Sequence, residues 1–212
     1  MRCRNHWLLT IVSCTFVLTV AGGSQEHQSP EHTWDYGVSR GPSHWGELEP
    51  EFAPCKNGHR QSPIDIRNAL KADLPAIQFD YKPSPLNIID NGHTIMINYS
   101  PGSFITVGGK RYELKQFHFH RPSEEKINGK GYEMTVHLVH ADEKGNVAVV
   151  AVLLEKGEDN ALVHTLWTDM PREKEKIESE QDVQIDADGC FPPITATTPF
   201  LAPSLLLLAV KM

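Results

Sequence analysis

The stretch SFITVGGKRYELKQFHFH, residues 103–120, constrains the fold more than any other part of the chain. Two runs of strand-favouring residues meet at Gly108-Gly109, a pair that accepts the backbone angles of a tight hairpin turn. Neighbouring segments read the same way. HTIMINYS (93–100) alternates, with Ile95, Ile97 and Tyr99 on one face. GYEMTVHLVH (131–140) alternates as well, and VAVVAVLLE (147–155) is apolar throughout, as a strand covered on both faces would be. NALVHTLWTDM (160–170) switches to helical spacing through Leu162, Leu166 and Met170, then runs into a solvated charge run, Arg172 to Glu180. The expected fold is mainly β, with a largely antiparallel central sheet and short peripheral helices.

The ends differ from this body. Residues 1–23 carry Arg2 and Arg4, an apolar run from Trp7 to Ala21 and then small residues, the layout of a secretory signal peptide. The run is shorter than the ~20 apolar residues of a spanning helix. Export to the periplasm or the medium is therefore expected, with no stable membrane span in the mature protein. Residues 24–43 are polar and read as a flexible lead-in, and 44–189 as the domain proper. Removing residues 1–23 takes away two arginines and no acid, moving the net charge from −7 to −9. So acidic a chain lacks the basic footprint of a nucleic-acid binder. Only Cys55 and Cys190 remain in the mature chain, and an oxidising compartment would permit them to pair. Residues 190–212 are rich in Pro, Thr and Leu and nearly uncharged, with neither strand alternation nor helix punctuation. The run of four leucines there, Leu205 to Leu208, reads as an aggregation hazard and not as a core element.

Residues two apart on a strand project from one face, so His118 and His120 present two imidazoles side by side, with Phe117 and Phe119 in the opposite layer. Zinc takes neutral imidazole in tetrahedral geometry, and a catalytic site keeps three protein ligands and one open position. His137, seventeen residues on, has room for a loop and an adjacent antiparallel strand, whereas His140 has the opposite parity and should face away. Two other readings stay open on these residues alone. They are satisfied core or surface histidines, or the cupin pattern His118-x-His120-x-x-x-Glu124 with Gly131, in which the glutamate joins the metal.

Read together, HWGELEPEF (44–52), CKNGHRQSPIDI (55–66), NGHTIMINY (91–99), QFHFHRPSEEKINGKGYEMTVHLVHAD (116–142) and VAVVAVLLEKG (147–157) resemble the α-class carbonic anhydrases, the bacterial exported branch above all. The order and spacing match from about residue 34 to 189, and QSPIDI with QFHFH belongs to no cupin. The resemblance implies reversible hydration of carbon dioxide to bicarbonate at a zinc ion held by His118, His120 and His137. It implies a proton-shuttle role for His93 and an orienting role for Glu124, which acts through a threonine hydroxyl and is not a ligand. Gln116 would hold the first zinc histidine, and Val139 and Val149 would line the carbon dioxide pocket. A non-catalytic, zinc-binding relative of these enzymes is the alternative.

Two departures from the family pattern stand out. The family has a glutamate two residues before the third zinc histidine, where this chain has Thr135; Glu133, on the same strand face, could partly substitute. After Gly189, the segment that supplies the orienting threonine and a cysteine partner for Cys55 is missing, along with the C-terminal strands. Codons chosen for Ile194 to Met212 can be read in another frame as a run that includes Thr-Thr-Pro-Pro-Cys, the missing family motif. One base lost near Gly189 or Cys190 would explain the change, leaving an incomplete domain with an aberrant hydrophobic tail.

Overall fold

The computed structural model describes residues 34–70 and 72–190, together with the backbone of 206–211. Among the described residues there are three short α-helices, α1 (Trp45–Leu48), α2 (Pro54–Asn57) and α3 (Ala161–Thr168), and eleven strands. The strands are β1 (Asp65–Ile66), β2 (Gln78–Asp80), β3 (Ser84–Asp90), β4 (Ile95–Asn98), β5 (Phe104–Val107), β6 (Lys110–His120), β7 (Lys126–Ile127), β8 (Met134–Ala141), β9 (Val147–Leu154), β10 (Ile177–Ile185) and β11 (Leu206–Lys211). Nine of them form one sheet, in the order β10-β3-β4-β6-β8-β9-β11, with β5 on the first half of β6 and β2 on β5. Every pairing within it is antiparallel. β1 and β7 make a separate parallel pair.

The expected hairpin is β5–β6, turning at Gly108 (φ 55°) and Gly109 (φ 77°), where both residues need the left-handed region that glycine enters at no steric cost. β9 is buried along most of its length, in line with its unbroken apolar run. Leu86, Ile88, Ile97, Ile105, Leu114, Phe117, Leu138 and Val150 form the centre of the core, all fully buried. Helix α3 contributes Leu166 to it; Met170 lies beyond the helix end and is partly exposed.

Two strands occur where none was expected. β10 starts inside the charge run and pairs with β3 at one edge of the sheet. An edge strand needs only its backbone to pair on one side, and its charges discourage pairing with another chain on the other. β11 comes from the leucine-rich tail and pairs with β9 along six residues, Leu206 opposite Val152 to Lys211 opposite Val147. The sheet continues past β9 because that strand's outer edge offers unpaired backbone groups, which a run of apolar residues can meet. The expected signal peptide and the first part of the expected lead-in, within residues 1–33, lie outside the described residues, as do 71, 191–205 and 212. Among the described residues no helix is long and apolar enough to cross a membrane.

Candidate metal centre

Strict alternation along β6 would put His118 and His120 on the same face as the buried Tyr112 and Leu114. A register irregularity between Leu114 and Gln116 prevents this. The extra residue shifts the parity, so Phe117 and Phe119 continue the core face while Gln116, His118 and His120 turn to the other side. Across the ladder His118 faces His137 of β8, and His120 faces Thr135. The three imidazole centroids lie 4.9 Å (118–120), 5.4 Å (118–137) and 4.9 Å (120–137) apart. One nitrogen from each ring comes within 4.8 Å of the other two, and these three histidines are the group of potential ligands among the described residues.

The other nitrogen of each ring is already engaged. His118 Nδ1 donates to Gln116 Oε1 at 2.8 Å. His137 Nε2 donates to Glu125 Oε1 at 2.7 Å. His120 Nδ1 lies 3.1 Å from the Tyr36 hydroxyl, which itself donates to Glu124 Oε1 at 3.1 Å. This network assigns the tautomers and leaves His118 Nε2, His120 Nε2 and His137 Nδ1 free to face a common point. Burial, then repulsion between the rings, holds the pKa of His118 down to about 3. The same causes hold His120 down to about 4. Three imidazoles, each oriented by an outer acceptor, are the donor set that suits zinc.

Glu124 Oε2 sits 3.4 Å from His120 Nε2 and 3.9 Å from His137 Nδ1, beside the ligand group and not part of it. Burial raises its pKa. Val139 and Val149 are directly opposed across β8 and β9, one step along the same face from His137 and its partner Ala151. His93 lies in the β3–β4 turn, where Asn91 Oδ1 accepts from the backbone N–H of His93 (3.0 Å) and of Thr94 (2.9 Å). The Thr94 hydroxyl then reaches the Phe119 carbonyl between the two β6 histidines, which ties this turn to the site. His140 faces the opposite way, as its parity requires. It is fully buried, with Nδ1 donating to the Ala148 carbonyl at 3.2 Å and Nε2 accepting from the Tyr81 hydroxyl at 2.8 Å.

Three residues of the site escaped the sequence reading. Trp34 and Tyr36 fall in the supposed lead-in, yet Trp34 stacks on the His93 ring at 3.8 Å with the planes 4° apart. Tyr36 bridges His120 and Glu124. Two aromatics in an otherwise polar segment were the available signal. The third is Glu125. The expected stand-in for a carboxylate at position 135, Glu133, is exposed and takes no part in holding His137. The Thr135 hydroxyl instead donates to the Val152 carbonyl at 3.3 Å. Cys55 is exposed and Cys190 buried, and both are free thiols.

The profile of the eukaryotic-type carbonic anhydrase family matches residues 40–195. A carbonic anhydrase of Neisseria gonorrhoeae is 40% identical over 183 residues, covering 86% of this chain and 69% of that protein. One from Klebsiella pneumoniae is 42% identical over 161 residues, 75% of this chain and 65% of its own length. The chain thus spans about two thirds of these bacterial relatives. The α-carbonic anhydrase of Thermovibrio ammonificans, solved in complex with sulfanilamide, superposes with a TM-score of 0.71 at 40% identity, covering 76% of this chain and 72% of that one. Sheet, histidine ladder and sequence agree, and this chain belongs to the α-carbonic anhydrase family.

Proposed function

We propose that this chain catalyses the reversible hydration of carbon dioxide to bicarbonate and a proton. The observation that carries the reading is the convergence of His118 Nε2, His120 Nε2 and His137 Nδ1, each with its other nitrogen engaged. When bound there, zinc supplies the Lewis acidity that makes a water nucleophilic near neutral pH. The protein's own part is to hold three imidazoles at fixed orientation, the task of Gln116, Tyr36 and Glu125. Val139 and Val149 offer an apolar wall beside His137 for a substrate that carries no charge. Attack by water on the carbon yields bicarbonate and one proton, which must reach solvent. His93, at the edge of the site and partly exposed, is placed to relay that proton. Its stack on Trp34 defines one resting position of the ring. Glu124, bonded to Tyr36, is the group that would accept from a hydroxyl and so orient the attacking oxygen. Residues 1–23 direct the chain out of the cytoplasm in this reading.

Metal content and carbon dioxide hydration, measured together on the purified protein, test the proposal. One zinc per chain and hydration that a chelator abolishes are expected. Zinc without hydration would make the chain a binding protein. Iron or manganese held with Glu124 as ligand would make it cupin-like. His93→Ala should slow hydration most in weakly buffered solution, with added imidazole restoring the rate. An equal loss at every buffer concentration would assign His93 a structural role.

A further inference from the structure

A histidine that binds metal through Nδ1 needs its Nε2 proton held by an acceptor, or the ring is free to take the other tautomer or turn away. For His137 the nearest source on its own strand is position 135, two residues back on the same face. There the chain has a threonine, fully buried and bonded to Val152. We propose that Glu125 has taken over this task from position 135, so that a carboxylate reaching in from the β6–β7 connection, not one on β8, positions the third zinc histidine. The inference rests on the zinc reading above.

Three observations support it. Glu125 is 2% exposed, and an acid is almost never buried so deeply unless it is paired. Its one hydrogen-bonded side-chain oxygen goes to His137 Nε2 at 2.7 Å, while Oε2 is buried without a partner. His137, through this short bond, is the strongest partner of the buried carboxylate, with the Thr135 side chain a lesser neighbour. The backbone around it is also fixed. Ser123 Oγ donates to the Glu125 carbonyl at 2.8 Å and accepts from the Tyr132 N–H at 2.8 Å, and the Lys126 N–H reaches the Ile64 carbonyl at 3.2 Å. A side chain launched from so constrained a turn arrives at one place.

The test uses zinc release from the loaded protein to an excess of chelator, together with the 15N shifts of the histidine side chains in the metal-free protein. Glu125→Ala should release zinc about 10- to 100-fold faster than the parent. His137 should lose its Nε2–H tautomer signature while His118 keeps its own. Glu125→Gln retains shape and an acceptor but no charge, and should release zinc roughly 10-fold faster. This variant decides the matter if the alanine protein does not fold. The double variant Glu125→Ala with Thr135→Glu should recover most of the loss, since it returns a carboxylate to the strand. Parent-like zinc release in Glu125→Gln, or a double variant no better than Glu125→Ala, overturns the inference while leaving the zinc site standing. A parent protein that takes up no zinc overturns both.

Discussion

At the scale of single residues, the two histidines of β8 show how one side-chain type serves opposite ends. His137 and His140 are three apart on a strand, so one looks toward the candidate zinc site and the other into the core. His118→Ala, His120→Ala and His137→Ala should each lower zinc stoichiometry sharply, whereas His140→Ala should not; full zinc retention in His137→Ala would remove that residue from the site. His140 should instead show itself in stability. Burial holds its pKa down to about 4, below the 6.5 of a free imidazole, against the weaker upward pull of its carbonyl bonds. A histidine depressed in the folded state stabilises it fully above the unfolded value, and that contribution is lost as pH falls through the window between 6.5 and 4. The share is about 3 kcal/mol by pH 4. Denaturant titrations of metal-free protein at pH 7 and pH 4 should therefore differ less in His140→Ala than in the parent. Sequence parity alone supplied the direction of both rings. It could not supply Glu125 or Tyr36, because their contacts span 12 and 84 residues and depend on where loops return to the sheet.

Among the elements, β6 does the most to build the site, and it does so through an irregularity. The bulge before Gln116 lets one strand feed the core with Tyr112, Leu114, Phe117 and Phe119 while turning His118 and His120 to the opposite face. The local His-x-His parity was legible; the shift upstream was not, because a bulge is defined by two strands together. Helix α3 was legible from its spacing, and its start has a clear cause. Asn160 Oδ1 accepts from the Val163 N–H at 3.0 Å, and its Nδ2 donates to the Gly189 carbonyl at 3.0 Å, so one side chain both caps the helix and anchors the segment after β10. Asn160→Ala should cost about 1–2 kcal/mol, seen as a lower Tm, while Asn160→Asp should keep the cap but lose the anchor and cost less. β10 and β11 escaped the sequence reading for a shared reason. Each is an edge strand, recruited by the unpaired backbone of a neighbour and not by its own pattern of apolar residues.

For the whole molecule, the two cysteines have opposite settings. Cys55 lies exposed and Cys190 is 9% exposed within the core, where burial pushes its thiol up to about 12. Thiol titration of the folded protein should accordingly find Cys55 reactive and Cys190 only on unfolding, and a reductant should leave Tm unchanged. A Tm that falls on reduction would reveal a disulfide. We propose further that one base was lost near Gly189 or Cys190, and with it the threonine hydroxyl to which Glu124 would bond and the cysteine partner of Cys55. Restoring that frame should raise Tm and the hydration rate at equal zinc content, since a disulfide in a small secreted domain contributes about 2–5 kcal/mol. Equal stability and rate in both chains would dismiss the frame shift; in the present chain β11 already covers the outer edge of β9. The mainly β class, the hairpin at Gly108-Gly109 and the zinc histidines were determined by the sequence itself, because period-two patterning and residue parity act over a few positions. Tertiary structure decided the rest: which nitrogen of each imidazole is free, which carboxylate holds His137, and which strands close the sheet. Those outcomes depend on side chains and backbone edges that meet only after distant segments have packed, and no local pattern records such meetings.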